Sequence, residues 1–117
     1  MYDGVYTIKT MLGKKPHQPH LFVNANGKVE LSSSQQQQFK ITFIKSAFSM
    51  DRQAMFLYTI QTMDGRYLGT SGTPINGSRL TAQKETFLWW IEQGTSEEYQ
   101  STNFIQDPNN YHQDIIS

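Results

Sequence analysis

The feature that most constrains this chain is a six-residue segment that occurs twice. Tyr6–Met11 reads YTIKTM and Tyr58–Met63 reads YTIQTM, so the two segments differ at a single position. A near-identical segment that recurs along a chain usually marks a structural unit that is present more than once. The residues that follow each segment show how far this unit extends.

Each copy continues with the same series of predicted strands. In the first copy, a loop with two prolines precedes two short apolar stretches around Asn26-Gly27, and the alternating segment QFKITFIKSAF follows. In the second copy, the turn Asp64-Gly65 leads into RYLGTSG, then Asn76-Gly77, then the alternating segment TFLWWIEQ. Asn-Gly between apolar stretches predicts a β-hairpin, because both residues tolerate positive φ, and alternation predicts a strand with one buried face. Helical periodicity is absent, so the chain is predicted to be all-β.

A third copy is predicted to begin near Tyr99, at the position that Tyr6 and Tyr58 occupy in the first two copies. Few residues follow it, and the segment QDPNNYHQD is polar and rich in turn formers. The interpretation is one domain over residues 1–117, with a first repeat at about 4–50, a second at about 54–94 and a partial third at about 97–117. The predicted core residues are Phe39, Phe43, Phe87, Trp89 and Ile91.

The charge balance and the lack of cysteine exclude several classes of function. Ten basic and ten acidic residues cancel, so no strong electrostatic field is available to hold nucleic acid or an anionic membrane. The chain has no cysteine, which excludes disulfides, thiolate zinc sites and a cysteine nucleophile. No segment has the length of a secretory signal core or of a membrane span. We therefore expect a cytoplasmic protein that binds neither nucleic acid nor membrane.

Three segments carry a resemblance to a known family. The start DGVYTI (Asp3–Ile8) resembles the openings of fungal β-trefoil proteins, both ricin-type lectins and the mycocypin inhibitors of cysteine proteases. DGRYLGTSG (Asp64–Gly72) resembles the turn and second strand of a trefoil repeat, and WWI (Trp89–Ile91) is similar to mycocypins. The resemblance implies a β-trefoil-like barrel of four-strand repeats, two complete and a third truncated. Nine strands could also form an up-and-down barrel around a small ligand, but such a barrel gives no reason for the repeated strand openings.

Catalytic and metal sites are not predicted. The three histidines are His17 and His20, on one extended loop, and His112, far along the chain, with no carboxylate near the first pair. A metal site needs three or four converging ligands. No segment groups a nucleophile, a base and an oxyanion donor, and no glycine-rich phosphate loop is present. We expect a protein that is not an enzyme and that needs no cofactor.

Polar turn residues are the candidate ligand-binding residues for a lectin. Sugar recognition needs amide or carboxylate groups that hydrogen-bond to vicinal hydroxyls, together with an aromatic ring to stack on. Asn and Asp also occur in turns for backbone reasons alone. Trp89 and Trp90 face opposite sides of one strand, so Trp90 is either exposed or covered by another layer. The candidate residues are Asn24, Asn26, Asp64, Tyr67, Asn76 and Trp90.

Two alternatives to a lectin remain open. A protease inhibitor of the mycocypin type would use the proline-stiffened loop Leu12–His20, which is less costly to immobilise than a flexible one. A protein-binding trefoil module would use its outer strands instead. Glycans or a protein partner, such as a protease, are the expected ligands. Because missing strands leave apolar edges, the chain is also predicted to form homo-oligomers through its C-terminal region. The inhibitory-loop residues are Gly13, Lys14, Lys15, Pro16 and His17.

Overall fold

The computed structural model describes residues 1–9, 19–70, 80–94, 103–106, 108 and 114–116. All the regular secondary structure in these residues is β-strand, which confirms the all-β prediction. None of the described segments contains a helix long and apolar enough to cross a membrane. The strands are β1 Gly4–Thr7, β2 His20–Val23, β3 Val29–Ser32, β4 Gln38–Phe48, β5 Ala54–Thr62, β6 Tyr67–Thr70, β7 Leu80–Gln83, β8 Trp89–Gln93, β9 Asn103–Gln106 and β10 Asp114–Ile116.

The strands form one large antiparallel sheet and one separate hairpin. The main path of the large sheet runs β1-β4-β5-β8-β9-β10, and β6 and β7 branch from it through the pairing of β6 with β5. The separate hairpin is β2-β3. It joins the large sheet through the amide of Leu21, which donates to the Ile8 carbonyl at 2.6 Å, and through the amide of Ala82, which donates to the Gly27 carbonyl at 2.9 Å.

The first two copies of the sequence repeat have the same order of strand pairing. In each copy the first strand pairs with the fourth, and the second strand pairs with the third. The register also matches, since Tyr6 lies opposite Phe39 and Tyr58 lies opposite Trp89. Phe39 and Trp89 are therefore equivalent, and both are fully buried.

The predicted closed barrel is not present in the described residues. Among the described strands, β1 pairs only with β4 and β10 pairs only with β9, so these strands do not join the two ends of the sheet. Tyr99 lies outside the residues that the structure describes. Asn103 of β9 lies opposite Gln93 of β8, as Tyr58 of β5 lies opposite Phe43 of β4, so Asn103 has the pairing position of Tyr58. The segment YTI at Tyr58–Ile60 thus corresponds in pairing position to NFI at Asn103–Ile105.

The larger of two buried apolar clusters in the described residues lies between the large sheet and the hairpin β2-β3. It contains three of the predicted core residues, Phe39, Trp89 and Ile91, and Phe87 packs against its side. The Trp89 indole donates to the buried Leu68 carbonyl at 2.8 Å, so its polar atom is satisfied inside the core. The cluster consists of Ile8, Leu21, Val23, Phe39, Ile41, Tyr58, Ile60, Leu68, Trp89, Ile91 and Ile105.

Phe43 is not a core residue, contrary to the sequence prediction. Its side chain is 43% exposed, although it faces the same side as Tyr58 and lies 5.5 Å from that ring, centroid to centroid. The pairing of β4 with β1 ends at Ile41, and a β-bulge follows Phe43, so none of the described strands covers it further. The alternation of apolar residues indicates which face of β4 is buried, but it does not indicate where along β4 the neighbouring strand β1 ends.

Candidate functional site

Three tight turns have the same conformation, and two of them carry sequence-predicted site residues. They span residues 24–28, 49–53 and 62–66. In each turn, the amide of the first residue donates to the carbonyl of the fifth at 2.8–2.9 Å, and the amide of the fourth donates to the carbonyl of the first at 2.9–3.0 Å. The fourth residue has positive φ, which is 81° at Gly27, 62° at Arg52 and 93° at Gly65. This is a three-residue hairpin loop, a type I turn followed by a left-handed residue.

A side-chain oxygen of the first residue holds each turn. Asn24 Oδ1, Ser49 Oγ and Thr62 Oγ1 each accept the amide of the fifth residue at 3.0 Å. In the last two turns, the same hydroxyl donates to the carboxylate of the third residue, Asp51 or Asp64. These residue types are therefore needed by the turns themselves, whether or not they also bind a ligand.

The structure corrects the sequence analysis of these turns in two ways. Of the Asn26-Gly27 pair, which was expected to tolerate positive φ at both residues, only Gly27 has it, as the fourth residue of the turn. The turn at residues 49–53 was missed, because Arg52 holds the left-handed position that Gly holds in the other two turns. A signal for it exists in the sequence, since Ser49-Met50-Asp51 matches Thr62-Met63-Asp64 in residue type.

Two of the three turns lie side by side, and we call residues 24–28 and 62–67 the two-turn surface. The carbonyl of Gly27 accepts the Ala82 amide, and Lys28 forms a bridge with Thr81, so the first turn lies against β7. A Cβ added at Gly27 would lie 3.3 Å from Nη1 of Arg66, which brings the second turn to the same place. The turn that carries Asn24 and Asn26 is thereby brought against the turn that carries Asp64, and Tyr67 directly follows the second turn at the start of β6.

Arg66 fixes the carboxylate of Asp64. Its Nε donates to both carboxylate oxygens at 3.1 Å, and its Nη2 lies 3.0 Å from Oδ2. These hydrogen bonds, with that of the Thr62 hydroxyl, lower the pKa of Asp64 to about 2. The Asp64 side chain is still 61% exposed, so the carboxylate is a fixed anion that faces solvent.

The other polar groups of the two-turn surface differ in how freely they can bind a ligand. Both ends of the Asn24 amide are engaged, since Oδ1 accepts turn amides and Nδ2 donates to Glu30 at 3.1 Å. Asn26 is exposed, and within the described residues no hydrogen bond holds its side-chain amide. Tyr67 is half-buried in β6, next to Arg66. Asn26 and Asp64 are the groups best placed to hydrogen-bond a ligand.

Trp90 is not part of this surface, and the hypothesis of an exposed stacking ring at this position is wrong. Its side chain is only 3% exposed. It lies opposite Leu57 on the outer face of the large sheet and forms a second cluster with Leu57 and Met55. Ala47 and Leu88 pack against this cluster. Trp90 is therefore covered by another layer, which is the second of the two alternatives in the sequence analysis.

Several predicted residues lie outside the part of the chain that the structure describes. They are Asn76 of the ligand-binding set and the whole inhibitory loop set, Gly13, Lys14, Lys15, Pro16 and His17. Within the described segments, no three His, Asp or Glu side chains come together in a way that could hold a metal ion.

No protein-family model, curated protein or solved structure matches this chain.

Proposed function

We propose that this chain is a non-enzymatic carbohydrate-binding protein that binds glycans at the two-turn surface. The observation that carries this proposal is the contact of two polar turns through Gly27 and Arg66. It places an exposed amide, that of Asn26, on the same surface as the fixed carboxylate of Asp64. The pair supplies both donors and acceptors within rigid turns.

The chemistry of this surface fits a neutral polyol better than a charged ligand. Amide and carboxylate groups replace the water around sugar hydroxyls at a modest desolvation cost, because each hydroxyl both donates and accepts. The negative charge of the Asp64 carboxylate is offset by the positive charge of Arg66. The ion pair therefore offers hydrogen bonds without a strong field that would select a cation or an anion. We assign to Tyr67, which is half-buried at the start of β6 directly after the second turn, the aromatic role that the buried Trp90 cannot take.

Rigidity supports the proposal independently of the residue types. The three hydrogen bonds that close each turn, together with the Asp64–Arg66 ion pair, fix the polar groups before a ligand arrives. A group that is already ordered loses little conformational entropy on binding. Weak single contacts to a glycan can therefore add up to a measurable affinity.

We further propose that the scaffold is a β-trefoil-like arrangement. Two observations support this. The first two copies share the pairing of outer strands around an inner hairpin, and Ile8, Ile60 and Ile105 occupy matching positions of the three first strands in one core. β9 would then be the first strand of the third copy.

A glycan array followed by calorimetry with the best-bound glycan tests the proposed function. Asp64→Asn should weaken binding about tenfold or more, since a hydrogen bond to a charged group contributes about 1.5–3 kcal/mol. Asn26→Ala should also weaken it. Asp51→Asn is the matched control, because Asp51 holds the same position in the turn at residues 49–53, and this variant should bind as the unmodified protein does.

Two results would overturn this proposal. The first is an array without a bound glycan, and the second is binding that Asp64→Asn and Asn26→Ala leave unchanged. An empty array together with inhibition of papain or trypsin would instead support the predicted inhibitory loop.

A further inference from the structure

The hairpin of β4 and β5 extends beyond the strands on either side of it. β1 pairs with β4 only as far as Ile41, and β8 pairs with β5 at Tyr58 and Leu57. Beyond these points the two strands pair with each other up to Phe48 and Ala54, and no other strand of the described segments flanks them. The end of this hairpin is therefore a two-stranded ribbon with two open edges.

Large apolar side chains are exposed at this end of the hairpin. Phe48 is 77% exposed, Phe56 51% and Met50 98%, while Phe43 and the bulge residue Ile44 are about half exposed. Phe43 and Phe56 are in contact, with ring centroids 6.4 Å apart, and Phe48 and Phe56 share the same face of the hairpin. We call these residues the hairpin-end surface. At about 200 Å² for each fully exposed large side chain, they present on the order of 600 Å² of apolar area.

Among the described residues, the outer edge of β4 also has backbone groups without a strand partner next to this surface. The Ser49 amide donates inward, to the Gln53 carbonyl, so alternation along the strand directs the amides of Ser46 and Phe48 outward. Asp3 Oδ1 accepts the outward amide of Phe43 at 2.8 Å. Past Phe43, no strand of the described residues takes up this edge.

We propose that two copies of this chain pair through the outer edge of β4 and bury the hairpin-end surface at a twofold interface. Antiparallel pairing of a strand with its own copy is isologous, so one open edge satisfies the other. Phe48 and Phe56 of both copies then lie on the same face of the joined sheet. This interface is distinct from the predicted association through the C-terminal region.

Area and charge favour a second copy as the occupant. A stable interface takes about 800 Å² from each partner, and the five apolar side chains supply most of that area before any backbone is counted. The formal net charge is zero, so two copies approach each other without long-range repulsion. A long apolar edge that stays open is also an aggregation hazard, which closed pairing removes.

Sedimentation velocity over a wide concentration range tests this proposal on the full chain. The unmodified protein should sediment with twice the 13.5 kDa chain mass. Ser46→Lys places a charge on the paired edge, and Phe48→Ser removes an apolar contact, so each should raise the dimer Kd at least tenfold. Both residues are exposed, and circular dichroism checks that the variants fold. Leu31→Ser in β3 is the control, because Leu31 is 48% exposed, as Ile44 is, but lies on another strand.

Hydrogen exchange supplies a second measurement that does not depend on a variant. The amides of Ser46 and Phe48 should exchange slowly at concentrations where the dimer forms and quickly below them. A monomer at every concentration overturns the proposal. A dimer that Ser46→Lys and Phe48→Ser leave intact, or that Leu31→Ser weakens equally, also overturns it, because the contact then lies elsewhere.

Discussion

At the scale of single residues, the left-handed position of the three turns gives a graded stability prediction. Gly65 has a φ of 93°, and a Cβ added there would meet nothing within 4 Å, so Gly65→Ala tests backbone strain alone. We expect a loss of about 1 kcal/mol. Gly27→Ala should cost more, because its Cβ would also lie 3.2 Å from the Ala82 carbonyl oxygen.

Two control substitutions should leave the stability of the fold unchanged or raise it. Gly4 has no positive φ, and its Cβ would make an ordinary contact with the Tyr6 ring at 3.5 Å, so Gly4→Ala should leave stability unchanged or slightly raised. Arg52 holds the left-handed position without being Gly, and Arg52→Gly should stabilise the fold by about 0.5 kcal/mol. Urea denaturation measures all four variants, and equal costs for Gly4→Ala and Gly65→Ala would contradict the turn assignment.

The ion pair of Asp64 predicts a change of stability with pH. The folded-state pKa of Asp64 is about 2, below the usual 3.8. Between these two pH values, the folded protein therefore binds fewer protons than the unfolded chain does. Its contribution to the free energy of unfolding is complete above the unfolded pKa and is lost as the pH falls towards about 2. Because Asp64 is exposed, the effect is small.

The variants Asp64→Asn and Arg66→Gln test this dependence. Urea unfolding between pH about 5 and about 2 should show a smaller loss of stability in each variant than in the unmodified protein. Combining the two substitutions should add little, because they remove the same interaction. An unmodified protein and an Asp64→Asn variant with identical pH profiles would contradict the assigned ion pair.

At the scale of strands, the sequence predicts which face a residue takes better than what covers that face. Alternation in TFLWWIEQ correctly assigns Trp89 and Ile91 to the core and Trp90 to the other side. It could not indicate that Met55 and Leu57 of β5 cover Trp90, because that contact depends on the register of β5 with β8. The exposure of Phe43 likewise depends on where β1 ends.

Burial of both tryptophans predicts their response to a quencher. Trp89 and Trp90 are 1% and 3% exposed, so acrylamide should quench the fluorescence of the folded protein weakly and that of the urea-unfolded chain strongly. The Trp90→Phe variant retains only Trp89, and the Trp89→Phe variant retains only Trp90, so each variant reports the quenching of one ring. Strong quenching of the folded Trp89→Phe variant would show that Trp90 is accessible and that the second cluster is not formed.

At the scale of the whole molecule, the repeated segment YTI predicted two successive sets of four strands, but not how these strands pair. The two copies share their pairing because the same apolar pattern has to be buried twice. The predicted start of a third copy at Tyr99 lies outside the described residues. In β9 the pairing position of Tyr58 is held by Asn103, and Ile105 is the one residue of YTI that recurs there. The contact between the turns at residues 24–28 and 62–66 could not be predicted from the sequence either, because it depends on how the hairpin β2-β3 packs against β7.

The most direct measurement of glycan binding at the two-turn surface is an amide chemical-shift titration. The probe is the glycan that the array identifies as the best bound. Binding should shift the amides of residues 24–28 and 62–67, and it should leave residues 49–53 unchanged, although that turn has the same conformation. Shifts centred on the turn at residues 49–53, on the predicted inhibitory segment Leu12–His20 or on the hairpin-end surface would contradict the proposed site.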